Sequence, residues 1–102
     1  MTEHYDAIVI GAGQAGPSLA ARLGQEGLKT AIIERHRIGG TCVHTGCIPT
    51  KTLVASARVA YLSRRAAEYG VTIDEPVSVD MARVNARKDA IVAASNEGLT
   101  AW

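Results

Sequence analysis

The chain has 102 residues, of which 47% are hydrophobic and 21% charged, with a formal net charge of +1 at pH 7. A balance so close to neutral gives no single-sign field, which excludes nucleic acid and anionic membrane surfaces as partners on compositional grounds. The length suffices for one small domain and leaves little chain for a sheet covered by helices on both faces.

The N-terminal MTEHYD has no basic stretch ahead of an apolar run, and AIVIGAG is far shorter than a membrane span. A cytoplasmic protein is expected. Tyr5-Asp6-Ala7-Ile8-Val9-Ile10 is a short apolar run closed by glycines, the pattern of a parallel strand buried on both faces. From Gln14 to about Glu26 the residues favour helix, with Leu19 and Leu23 four apart and Gly27 placed to end it. Pro17 falls in the first turn, where a missing N–H costs little. Thr30-Ala31-Ile32-Ile33-Glu34 repeats the strand pattern and completes a βαβ unit.

A second helix is predicted from Thr50 to Tyr69, with Leu53, Ala57 and Tyr61 on one face, Glu68 pairing back to Arg64, and Gly70 at its end. Val71-Thr72-Ile73 reads as a short extended piece. Asp80 is an N-cap candidate for a last helix running to about Glu97. Met81, Val84, Ile91 and Val92 make its apolar stripe, and Arg83, Arg87, Lys88 and Asp89 its solvated side. The expected fold class is α/β, a partial Rossmann-like domain made of a βαβ unit and further helices around an incomplete parallel sheet.

Gly11-Ala12-Gly13-Gln14-Ala15-Gly16 matches GxGxxG, a weak signal by itself that gains weight from a strand before it and a helix after it. Glu34, at the end of the next strand, stands where a ribose-binding carboxylate belongs. Gly11 permits the tight turn, Gly13 lets the backbone approach a pyrophosphate, and Gly16 lets helix and strand touch, Ala20 keeping that contact close. The helix N-terminus supplies N–H donors and partial positive charge. A dinucleotide is the expected ligand.

The chain's two cysteines, Cys42 and Cys47, both lie in GGTCVHTGCIPTK, residues 39–51. In a reducing compartment such a pair points to redox chemistry or metal binding rather than a structural bridge. Regular helix would hold their Cα atoms roughly 8.6 Å apart, and a disulfide wants less than about 7 Å. A bond between them therefore requires Val43-His44-Thr45-Gly46 to leave regular helix, with Gly46 making the departure inexpensive. Pro49 suits the first turn of the following helix, placing Cys47 near a helix N-terminus that favours the thiolate, with Lys51 adding positive charge. Inert thiols remain open as an alternative. Zinc needs about four ligands, and His4, His36 and His44 sit at spacings that fit no common finger.

Taken in order, strand, GxGxxG, Glu34 and GGTCxxxxCxPxK resemble the N-terminal part of the class I flavin disulfide reductases, a family that includes dihydrolipoamide dehydrogenase, glutathione reductase and mercuric reductase. The resemblance covers about residues 5 to 70, and residues 71 to 102 fit loosely. It implies FAD in the cradle: Gly11, Gly13 and Gly16 at the pyrophosphate, Glu34 at the adenosine ribose, Gly39, Gly40 and Thr41 further along, and Lys51 near the flavin ring. By the same resemblance Cys47 is the flavin-facing thiol, Cys42 is the interchange thiol that attacks substrate, and residues 1–102 form the N-terminal part of an FAD/NAD(P)-binding domain. Electrons would pass from NAD(P)H through FAD and the cysteine pair to a small-molecule or protein disulfide, a dithiol or a mercuric-type substrate.

Family members are several times longer and homodimeric, with a nicotinamide domain and an interface domain that have no counterpart here. Inactivity of this segment alone is expected, and a small dinucleotide-binding module or gene remnant acting with a partner chain is the alternative. TGCIPTKTLVASARVAYL leans toward the mercuric-reductase side, without that group's extra metal-handling cysteines. His44 departs from the asparagine many relatives carry, and is expected either as a partly exposed loop side chain or as an imidazole tuning the interchange thiol. His4 and His36 are expected only as surface positions.

Overall fold

Two four-residue apolar runs become the strands, β1 (Ala7–Ile10) and β2 (Thr30–Ile33), and the computed structural model describes all residues from 1 to 102. The strands pair in parallel, Ala7 opposite Thr30 and Ile10 opposite Ile33, across a right-sized crossover through α1 (Gly16–Gln25). Both strands are shorter than predicted. Asp6 leaves the strand pattern because its carboxylate accepts the Lys29 N–H at 2.8 Å, and Glu34 because its carboxylate accepts the His36 N–H at 2.8 Å.

α1 begins two residues later than Gln14, with Pro17 in its first turn, and the chain leaves it through Gly27 at φ +84°. Leu23 is half-buried, but Leu19 is exposed. α2 (Gly40–His44) is a single short turn, and α3 (Cys47–Arg64) starts three residues earlier than Thr50. Beyond it, Ala66–Tyr69 tightens into a 3₁₀ turn that ends at Gly70, φ +75°. That tightening corrects the predicted ion pair: with three residues per turn, residues three apart eclipse, and Glu68 takes Arg65 through Nε at 2.9 Å instead of Arg64. Leu53, Ala57 and Tyr61 are all exposed, and Tyr61 serves instead as a platform for the Arg65 guanidinium, 5.0 Å above its ring. Val71-Thr72-Ile73 pairs with no strand.

α4 (Met81–Ala101) opens on Asp80, whose side chain accepts the Arg83 N–H at 3.1 Å. Val84, Ile91 and Val92 are half-buried, while Met81 is exposed. Arg87 is not merely solvated. Its Nη1 donates to the Thr52 carbonyl at 3.1 Å and to Ser56 Oγ at 3.3 Å, clasping α4 to α3. No helix is long and apolar enough to cross a membrane.

Strands expected to be buried on both faces are covered on one. α1 lies over the Val9 side, and the other face leaves Ile8 57% and Ile10 86% exposed, with Ile33 open beside them. Two strands and one crossover helix cannot enclose a sheet. The molecule extends 70 × 25 × 17 Å with a radius of gyration of 20.4 Å, where a compact domain of this length would measure about 13 Å. Its fully buried residues are Ala12, Gly39, Val43 and Thr52, and all of them lie where the glycine turn, the cysteine turn and α3 meet. The tightest packing in the molecule is therefore at the candidate site.

Candidate functional site

The glycine turn is built by backbone needs. Gly11 donates its N–H to the Ile33 carbonyl at 2.7 Å, extending the sheet by one bond, and then takes φ +101°, which favours glycine. Gly16 opens α1 so close to β1 that a Cβ there would collide with the Gly11 carbonyl oxygen and stand 3.5 Å from Ile32 Cδ1. Gly13 faces open space, with nothing within 4 Å of where its Cβ would be. Helix and strand touch at Gly16, as expected, and the turn presents bare backbone at Gly13.

Glu34 braces this turn from across the sheet. Its Oε2 accepts the Ala12 N–H at 2.9 Å while Oε1 accepts the His36 N–H. The Ala12 N–H, then the His36 N–H, hold its carboxyl below the usual carboxylate range against the opposing effect of burial, with the Arg35 N–H and the positive field of His36 adding lesser support. A carboxyl lowered in this way supports the fold fully above its ordinary value, and the support fades as pH falls through the lowered one. Glu34→Gln removes the charge and turns an NH₂ group toward one of the two N–H donors. The Ala12 amide should then exchange faster at pH 7, and the acid weakening of its protection, followed down to about pH 3, should flatten. An unchanged pH profile of Ala12 exchange would remove the brace.

The cysteine turn is fastened to the glycine turn by main chain alone. Gly39 (φ +100°) donates its N–H to the Ala12 carbonyl at 2.7 Å, and a Cβ on Gly40 would sit 3.0 Å from Gly13 Cα. Val43 folds back onto Gly39, where a Cβ would lie 2.8 Å from its own. Cys42 is on α2 and Cys47 is the first residue of α3, and a disulfide joins them across a Cα–Cα distance of 4.7 Å. The break that permits this is shorter than expected. Val43 and His44 stay helical, and only Thr45 and Gly46 interrupt, with a Cβ on Gly46 falling 2.9 Å from the Thr41 oxygen and 3.3 Å from Cys42 Cα. Gly46 is there for close approach.

Of the two sulfur-bearing residues, Cys42 is half-buried and Cys47 exposed; Thr41 and Lys51 are exposed on the first turns of α2 and α3. His44 is half-buried on α2, and its Nε2 lies 2.8 Å from the Ile38 carbonyl. A carbonyl only accepts, so Nε2 carries the proton. It is partly exposed, as expected, but on a helix rather than a loop. His, Cys, Asp and Glu side chains nowhere gather into a group of three that could hold a metal ion, and both sulfurs are spent on each other.

A groove of about 700 Å³ runs beside the brace, lined among others by Ala12, Pro17, Ile32, Glu34, His36 and Trp102. A hollow of about 390 Å³ adjoins it, between Glu34–Arg37 on one side and Gly40, Thr41, His44 and Thr45 on the other. His36 is exposed, as expected, and it holds Glu34 through its main-chain N–H. Trp102 escaped the sequence reading because α4 was expected to stop at Glu97. The glycine turn, Glu34 and the cysteine pair are brought together; Lys51 is set one turn of α3 beyond Cys47.

Residues 5–99 match the family of pyridine nucleotide-disulphide oxidoreductases. The chain belongs to that family. The match runs through α4, well past the 5–70 stretch that the motifs alone marked. Among its relatives, the dihydrolipoyl dehydrogenase of Bacillus subtilis is 44% identical over 92 residues, covering 90% of this chain and 19% of the relative. That of Chlamydia muridarum is 43% identical over 99 residues, 97% of this chain and 21% of the relative. The flavoprotein disulfide reductase RclA of Escherichia coli, induced by HOCl and solved as a Cu(II) complex, superposes with a TM-score of 0.74 at 33% identity, covering 97% of this chain and 19% of that one. The chain spans about a fifth of the length of these oxidoreductases. It aligns with the N-terminal region of flavin disulfide oxidoreductases and carries a Cys42–Cys47 disulfide.

Proposed function

We propose that this segment is the FAD cradle and redox disulfide of a flavin-dependent disulfide oxidoreductase acting on a dithiol or disulfide of the lipoyl class. The contact of Gly40 with Gly13, locked by the Gly39 N–H on the Ala12 carbonyl, carries the reading, because it seats the disulfide against the turn that would hold the cofactor. The residues fit the group: open backbone at Gly13, the N-terminus of α1 for a pyrophosphate, and a braced Glu34 carboxylate whose remaining lone pairs suit ribose hydroxyls. Gly39, Gly40 and Thr41 continue the cradle toward the sulfurs, and Lys51 follows one turn of α3 beyond Cys47. FAD, when bound, supplies the relay of an electron pair between a nicotinamide and a disulfide.

The protein's own groups do the sulfur chemistry. Once the pair is reduced, the Cys42 thiolate attacks a substrate disulfide, forming a mixed disulfide and expelling one substrate thiol; Cys47 then attacks the Cys42 sulfur, expels the second thiol and restores Cys42–Cys47. Two electrons and two protons leave the pair and arrive on the substrate sulfurs. Running backward, the same steps oxidise a dithiol. Exposure alone would favour Cys47 as the attacker, and the present assignment gives its open side to the flavin. The position of Cys47 at the start of an 18-residue helix favours its thiolate.

NAD(P)H as electron donor, a homodimeric whole and a cytoplasmic setting follow from the family in the same sense. The bare Ile8, Ile10 and Ile33 face supports further polypeptide packing there, in the same chain or a partner. Turnover requires that addition, and the segment by itself holds the cradle and the thiols without completing a cycle.

Gel filtration of the chain with FAD tests the cradle. Retained flavin colour is expected, together with two alkylatable thiols after reduction and none before. Colourless protein with an intact disulfide would sink it.

A further inference from the structure

We propose that His44 is a positioning residue for Cys42, holding the interchange thiol within reach of Cys47 when the disulfide is open. The proposal deepens the reading above, since it assumes that the pair is the redox centre.

Cys42 rides on a helix of five residues, far below the length at which a helix holds itself together in water. What keeps α2 in place must therefore come from outside it. Main-chain bonds fix its start, through Gly39 to Ala12 and Gly40 to Arg37, and Val43 anchors its inner side. At its far end, beyond Cys42, the Thr45 bonds return only to Thr41, within the same turn. The His44 ring is different. It reaches back six residues to the Ile38 carbonyl and closes the loop that carries Cys42 into a ring of fixed size. In the oxidised chain the disulfide also fixes this end of α2. On reduction that covalent link is gone, and the Ile38–His44 bond is the side-chain hydrogen bond that remains between α2 and the chain before it, beside the packing of Val43 on Gly39.

The sign follows from coupling. A tether that preorganises Cys42 beside Cys47 raises the effective concentration of one thiol at the other, and so favours the disulfide over the open dithiol. By reciprocity the disulfide favours the tether to the same extent. Losing the tether makes the disulfide easier to reduce. Nε2 donates the bond, so a side chain that presents an N–H at the same reach should restore it, and Gln places its amide nitrogen about where the ring places Nε2.

The exchange to be measured is that of the full chain with glutathione, in which two glutathione thiols give up two electrons and two protons, become one glutathione disulfide, and leave Cys42 and Cys47 as thiols. Quenched alkylation and mass counting read the ratio of the two forms. With His44→Ala the equilibrium should shift about fivefold toward the dithiol, the size of one net hydrogen bond, on the order of 20 mV for this two-electron couple. His44→Gln should return to within about twofold of the unaltered chain. An equilibrium unmoved by His44→Ala would overturn the proposal. So would an equal shift in both variants, which would mean that the donor is not the cause. No flavin enters the measurement, so a failure of the cradle to bind FAD would leave its outcome intact.

Discussion

Gly16→Val should abolish flavin retention while the neighbouring glycine of the same helix tolerates a larger side chain. The Cβ that valine brings would meet the Gly11 carbonyl oxygen, a main-chain atom already placed by the Gly11 N–H on Ile33, and Ile32 closes the other side. The Ile32 Cδ1 methyl could move aside, but the Gly11 carbonyl is main chain and cannot. The collision must be relieved by lifting the start of α1 off β1, which carries the turn and its N–H donors away from the pyrophosphate position. Overpacking against fixed neighbours costs about 3 kcal/mol, and if that falls on the bound state it weakens FAD about a hundredfold. Gly24→Ala is the control, because a methyl at Gly24 meets nothing within 4 Å and improves helix propensity. Flavin fluorescence titration of both variants reads the difference. Equal affinities for Gly16→Val and the unaltered chain would show that the helix–strand contact does not shape the cradle.

That contact was legible in the sequence because it is local: a glycine pattern between a strand and a helix has few ways to fold, and the spacing to Glu34 is set by one crossover. The cysteine turn was legible for a similar reason, since Gly39, Gly40 and Gly46 mark where backbone must turn or approach closely. Interactions between distant segments were not. Arg87 looked like a solvated charge because its partner is the carbonyl of Thr52, 35 positions away, and a main-chain acceptor leaves no mark in a sequence. His44 was ambiguous for the same reason, its partner being the Ile38 carbonyl. Glu68 took the wrong arginine because α3 tightens after Arg64, a change of pitch that its composition does not announce. α4 runs past the expected end near Glu97, through Gly98 to Ala101; Thr100 Oγ1 bonding back to the Asn96 carbonyl keeps the last turn closed. The strand pattern foretold burial on both faces, whereas the length of the chain foretold too little cover for such a sheet, and Ile8, Ile10 and Ile33 stand exposed.

The division of labour between the sulfurs gives the other large expected effect. Transplanted into the Bacillus subtilis dihydrolipoyl dehydrogenase in place of the matching 19% of its length, the segment should support turnover, and Cys42→Ser should lower it by at least about a thousandfold, as loss of an attacking group does. A serine hydroxyl is a far weaker nucleophile than a thiolate at neutral pH. The flavin should nonetheless accept electrons from the nicotinamide at an unaltered rate, because Cys42 sits on α2, and the proposed flavin-facing thiol, Cys47 at the head of α3, is left intact. Cys47→Ser should differ in kind. It leaves Cys42 able to form a mixed disulfide once but removes the thiol that releases it, so a stoichiometric adduct should accumulate on Cys42 when reduced protein meets a chromogenic disulfide. Mass spectrometry of the two variants after that reaction separates the roles. An adduct trapped on Cys47 in the Cys42→Ser variant, with none on Cys42 in the other, would reverse the assignment and agree with the greater exposure of Cys47 in the isolated segment.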